Sequence, residues 1–137
     1  MDIEAVKNII DTSVGLERNL GMEFISTPDE DVCVGRMPVD DRNVQPFGYL
    51  SGGATLALAE TLAGVGSVSL CPGVLCFGMN VHGNHVHGAR RGDVVTARAR
   101  IVHQGIQTHV WQVEIRNQDD LLISTVSVTN FIVRKPS

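Results

Sequence analysis

The pattern of apolar and polar positions divides the chain into helical and extended stretches. Ile3, Val6, Ile9 and Ile10 recur at helical spacing, which predicts a short amphipathic helix over residues 2–10. GMEFIST at 21–27 and VCVGRMPV at 32–39 flank the acidic "PDED" and predict a hairpin. Residues 40–50, with Asp, Asn, Pro and Gly, read as loop. From Ala54 to Val68 nearly every residue is small or apolar, so this helix has no polar face and is expected to be buried. Ser51 stands as its N-cap, its hydroxyl expected to accept from a backbone N–H of the first turn, and "CPG" at 71–73 ends it. Four stretches rich in Val, Ile and Thr follow, at 75–87, 93–104, 108–117 and 121–133. In the third, Val110, Gln112, Glu114 and Arg116 alternate with Trp111, Val113 and Ile115, giving one wet side and one dry side. The order predicts an α+β fold, a mostly antiparallel sheet wrapped around one central helix.

Composition narrows the picture. With 137 residues, 43% of them apolar, the chain suits one folded domain with a real core. A net charge of −4 and the lack of a basic run argue against nucleic acid as a partner. No stretch is expected to reach the apolar length that crosses a membrane, and the N-terminus lacks a secretory apolar region, so a cytoplasmic protein is expected. Cys33, Cys71 and Cys76 read as reduced, mostly buried thiols. His82, His85 and His87 lie close together, but His85 and His87 share a strand face that His82 does not, and no Cys or acidic residue completes a set, so no metal is expected.

The chemistry concentrates in "QPFGYLSGGATLALAE" at 45–60, where Glu60 follows small apolar residues. A carboxylate in such a run is either on a partly exposed strip, bonded to a neighbour, or a general base or nucleophile in a cleft. Gly52 and Gly53 open the same helix, and their N–H groups have no intrahelical partner. Together with the helix dipole and the small glycine side, that end suits the oxygen of a polarised carbonyl. Ser51 and Glu60 are nine residues apart, roughly 13 Å along a helix. One carbonyl carbon cannot lie near both within one chain. If the two cooperate, an antiparallel copy of the helix must supply the second half, which gives a dimer with two equivalent sites.

The block "NVQPFGYLSGGATLALAE" at 43–60 is similar to the signature of hotdog-fold acyl-CoA thioesterases of the PaaI-like kind, the branch that holds 1,4-dihydroxy-2-naphthoyl-CoA hydrolases and the enterobactin proofreading thioesterase. The resemblance continues in "MPVD", "NHV", "ARRGD" and "HVWQVEI" and covers nearly the whole chain beyond the first helix. It implies the hotdog fold, a homodimer with shared active sites that commonly pairs into a homotetramer, and thioester hydrolysis with no metal and no cofactor, CoA being part of the acyl-CoA substrate. It implies Glu60 as nucleophile or general base and the Gly52 N–H as the group polarising the thioester carbonyl. Gln45 would bond near the thioester or orient water, and Gln45 and Gly52 would come from the subunit facing Glu60. It further implies His85, Arg90 and Arg91 as contacts to the CoA phosphates and Gly105, in "HQGIQT", as a point of close backbone approach. Phe47 and Tyr49 either border the acyl group or belong to the core. Relatives usually carry His where this chain has Ser51, and often Ser or Thr where it has Gly64, beside the substrate. The expected function is hydrolysis of an aryl- or medium-chain acyl-CoA, 1,4-dihydroxy-2-naphthoyl-CoA included. The missing His leaves open a catalytically weak acyl-CoA-binding module and weighs against a hydratase.

Overall fold

The computed structural model describes residues 1–12 and 14–134. Its elements are α1 (Glu4–Asp11), α2 (Leu16–Asn19), β1 (Glu23–Ile25), β2 (Val32–Pro38), α3 (Gly52–Leu70), β3 (Val74–His85), β4 (Val94–Gln104), β5 (Thr108–Arg116) and β6 (Leu122–Arg134). The six strands form one antiparallel sheet in the order β1-β2-β4-β5-β6-β3. α3 packs against five of them, β2 to β6. This is the α+β architecture that the sequence pattern predicts, an antiparallel sheet around one central helix, and it is the hotdog fold that the resemblance implies.

The uniform apolarity of α3 follows from that position. Leu58, Ala59, Leu62 and Ala63 are fully buried on it, and they meet Cys33, Val95, Ala97, Ala99, Val113 and Val126 from the sheet. Small residues on both sides let the sheet curve closely around the helix. By length and composition α3 is also long and apolar enough to cross a membrane, which corrects the expectation that no stretch reaches that length. Packing inside the sheet accounts for its apolar residues here.

Other differences from the sequence reading have local causes. β1 is shorter than the predicted 21–27: Gly21 is left-handed at φ 83°, and beyond Ile25 the Thr27 N–H donates to Met1 O instead of extending the pairing with β2. The helical turn α2 was not expected, since four residues are too few to show a period. β3 lies at the edge of the sheet, with one side unpaired over most of its twelve residues. Leu75, Phe77 and Met79 are exposed there, and a bulge between Gly78 and Asn80 breaks the register with β6.

Candidate active site

Glu60 projects from the middle of α3 on the strip that the sheet leaves uncovered: Gly53 and Glu60 are exposed, and Ala57, Gly64 and Val68 are half-buried. Its carboxylate lies over Gly78 of β3, beside the bulge. A Cβ at Gly78 would come within 2.9 Å of the Glu60 Cδ and closer still to Oε1, so the seat of the carboxylate requires glycine. The carboxylate has no hydrogen-bond or ion-pair partner among the described residues. One turn further on, Gly64 borders open space, where an added Cβ would meet nothing within 4 Å.

The start of α3 forms a second half-site. Gly52 is the first helical residue, so its N–H has no intrahelical acceptor. The His85 ring covers it, with Nε2 2.8 Å from where a Cβ would stand. His85 Nδ1 lies 2.8 Å from Ser124 Oγ on the paired strand β6. Gly52, Thr55, His85, His87 and Ser124 line one side of a cleft of about 290 Å³. Thr55 and Ser124 were not singled out in the sequence, because no motif marks them and only the strand register brings Ser124 to His85. His82 pairs with Ser127 on the opposite face, and His87 lies just past the end of β3. Among the described residues no three His, Cys, Asp or Glu side chains converge as a metal set.

Ser51 is the N-cap by backbone position, but its hydroxyl makes no capping bond, contrary to the expectation above. Its carbonyl instead accepts from Thr55 N and Thr55 Oγ1, both at 3.0 Å, and its N–H donates to Asn43 O. The first turn is thus held by backbone and by Thr55, and the serine hydroxyl lies 3.6 Å from where a Cβ at Gly53 would stand.

Gln45 opens a tight turn that places Gly48 at φ 87°. Its side-chain Oε1 accepts from Phe47 N at 2.6 Å and Tyr49 N at 3.2 Å. Two backbone N–H donors fix which end of the amide is oxygen, so the Nε2 group is the end left to meet a ligand. Phe47 is 84% exposed at the tip of this turn and Tyr49 is 38% exposed, so neither belongs to the core. Arg90 lies over the Tyr49 ring at 5.9 Å, and Arg91 Nε donates to Asp41 at 2.8 Å.

The structure therefore brings Gln45, Tyr49, Ser51, Gly52, His85, Arg90 and Arg91 to one end of the molecule. It does not bring Glu60 or Gly105 there. Gly52 and Glu60 are eight residues apart on α3, roughly 12 Å. The Gly105 turn joins β4 to β5 where Thr108 pairs with Phe131, seven residues along β6 from Ser124 and roughly 23 Å away.

The sequence model of the thioesterase superfamily matches residues 47–124. The 1,4-dihydroxy-2-naphthoyl-CoA hydrolase of Listeria monocytogenes is 32% identical over 123 residues, 89% of this chain and 98% of the relative. The solved thioesterase HI1161 of Haemophilus influenzae superposes with a TM-score of 0.86 at 34% identity, over 98% of this chain and 92% of that one. The thioesterase SAV0944 of Staphylococcus aureus gives a TM-score of 0.80 at 38% identity, over 86% and 98%. It has been solved with one glutamine changed to alanine and, separately, with a glutamate fifteen residues further on changed to alanine. With this fold and these relatives, the chain belongs to the thioesterase superfamily, as a thioester hydrolase of the hotdog acyl-CoA thioesterase family.

Proposed function

We propose that the chain hydrolyses the thioester of an aryl- or medium-chain acyl-CoA, at sites shared between two copies paired through β3. The observation that carries this reading is the exposed, unpartnered Glu60 carboxylate on its glycine seat, 12 Å or so from the N–H groups at Gly52. The unpaired β3 edge beside it, with its exposed Leu75, Phe77 and Met79, is a template for strand pairing with a second copy. Antiparallel pairing there sets the two α3 helices side by side, so one subunit's Gly52 faces the other's Glu60. Such dimers pair further into tetramers in this reading, and a cytoplasmic place fits an acyl-CoA substrate.

In each site Glu60 takes a proton from the attacking water, or attacks the carbonyl carbon itself. The facing Gly52 N–H, at the positive end of its helix, holds the charge that develops on the carbonyl oxygen. Gln45 donates from Nε2, since its oxygen is engaged in its own turn. The C–S bond then breaks and CoA leaves as its thiol, taking the proton that Glu60 drew from water; where Glu60 itself attacks, the thiolate takes its proton from water and a second water then hydrolyses the acyl–Glu60 anhydride to free the acid. Gln45 and Glu60 stand fifteen residues apart, the separation of the two positions altered in the Staphylococcus aureus thioesterase, which supports giving them roles in one site. In this reading Arg90, Arg91 and His85 contact the CoA phosphates, with Gly105 contributed from the other subunit. 1,4-Dihydroxy-2-naphthoyl-CoA is the aryl substrate the Listeria relative's name suggests.

Free-thiol release from a panel of aryl- and alkyl-CoA thioesters tests the reading. Glu60→Ala and Glu60→Gln should each lower kcat by about 10²–10⁴-fold. Their stability should stay within about 0.5 kcal/mol of the parent, because the carboxylate has no partner to lose. Full turnover by Glu60→Ala would end the proposal.

A further inference from the structure

A second concavity lies at the far end of the Glu60 strip. Ile3, Val6 and Ile9 of the N-terminal segment and α1 face Val68 of α3 and the Pro72–Gly73 corner across a groove of about 260 Å³. Asp2 supplies its one charged lining residue, and Ser69 a hydroxyl. Ile9 is 65% exposed at the rim, a large apolar side chain that the chain's own packing leaves uncovered.

Helix geometry connects this groove to Glu60. Glu60, Gly64 and Val68 follow one another at intervals of four, so they stand on one strip of α3. On this strip Gly64 stands between the carboxylate and the groove, and within the single chain a Cβ there would meet nothing within 4 Å. Any larger residue at 64 would stand in that path. From Glu60 to Val68 is eight residues, about 12 Å. An extended alkyl chain of roughly ten carbons, with zigzag bonds of about 1.5 Å, covers that distance.

We infer that the groove between α1 and the end of α3 takes the far end of the acyl group, and that this makes a straight alkyl chain of about ten carbons the preferred substrate class. The inference rests on the reading that the thioester lies at Glu60. The carbonyl carbon sits at the carboxylate, the chain passes over Gly64, and the terminal methylenes lie against Val6, Ile9 and Val68. Each methylene that leaves water for such a surface strengthens binding roughly fourfold. A chain too short to pass Gly64 gains nothing from the groove.

The test is kcat/KM for saturated acyl-CoAs from butyryl to palmitoyl. With the parent protein it should climb by on the order of tenfold for each added pair of carbons beyond hexanoyl and level off near decanoyl. Ile9→Asp, a rim substitution at an exposed position, should lower the decanoyl value at least tenfold more than the butyryl value. Gly64→Leu, which favours the helix and so should fold, should do the same by blocking the path. Decanoyl-CoA should also bind to Glu60→Ala at least tenfold more tightly than butyryl-CoA, and adding Ile9→Asp should abolish that ratio. A flat length profile, or equal losses on short and long chains in both variants, overturns the groove assignment while leaving Glu60 in place. Undiminished hydrolysis by Glu60→Ala overturns the reading beneath it, and the binding ratio then reports on the groove alone.

Discussion

Ser67 shows how much a single side chain can fix. It is fully buried on α3, and side chains from the sheet converge on its oxygen. Trp111 Nε1 and Asn130 Nδ2 donate to it at 3.0 and 3.1 Å. Its oxygen also lies 2.8 Å from His109 Nδ1, and His109 Nε2 lies toward Cys71 Sγ. Burial, with Arg134 and His103 adding to it, holds the His109 pKa below its ordinary value. The sign of the pH effect follows. Above the unfolded value, near 6.5, the imidazole is neutral in both states and the network contributes fully. As pH falls below that value the unfolded chain takes up the proton first, so stability declines down to the depressed folded pKa. Urea unfolding between pH 8 and pH 5 should show this loss, and His109→Gln should remove that part of the slope. Ser51 carries the opposite lesson. As its hydroxyl caps nothing, Ser51→Ala should change stability by less than about 0.5 kcal/mol, measured in the same way.

Two glycines on α3 look alike in the sequence and differ in the fold. Gly66 packs against the Trp111 ring, where a Cβ would approach within 2.7 Å of Cζ2. Gly64 faces open space. Gly64→Ala should therefore stabilise the protein by about 0.5–1 kcal/mol, the ordinary preference of a helix for Ala. Gly66→Ala should destabilise it by roughly 1–3 kcal/mol through overpacking against a ring that cannot retreat. Denaturant midpoints of the two variants, moving in opposite directions, check this. Periodicity placed α3, the hairpin and the four long strands, because each is long enough to repeat its pattern. It could not separate these glycines, since their difference lies in Trp111, forty-five residues beyond Gly66. The absence of a cap bond at Ser51 was not legible either, because the rotamer of one serine leaves no trace in a local pattern; its own backbone groups bond to Thr55 and Asn43.

At the scale of the whole molecule, the proposed sharing of sites makes a prediction that single variants cannot. Glu60→Ala and Gln45→Ala damage different halves of each site. Unfolded, mixed and refolded together, two inactive proteins should regain roughly a quarter of the parent activity, because half of the dimers are mixed and each holds one intact site. Sedimentation of the parent as a monomer at assay concentration would rule this out. The QPFG…GG…E block made the catalytic candidates legible, and helix length alone exposed the separation between Gly52 and Glu60. The glycine seat at Gly78 and the His85–Ser124 pair were not legible. Both depend on which strand lies beside which, and pairing order is not written in any local stretch.

The knot at Ser67 also bears on why there is one native arrangement and not several. α3 is nearly smooth, built of Ala, Gly, Leu and Val, and a smooth rod in a curved sleeve has few preferences about where along its axis it stops. Sliding by one turn, about 5.4 Å, would exchange one small apolar side chain for another almost everywhere. At Ser67 it would strand the Trp111 and Asn130 donors, and the His109 nitrogen, in an apolar interior. The serine acts as a detent. It sets where the rod stops, and so whether Glu60 arrives over Gly78 or one turn short of it.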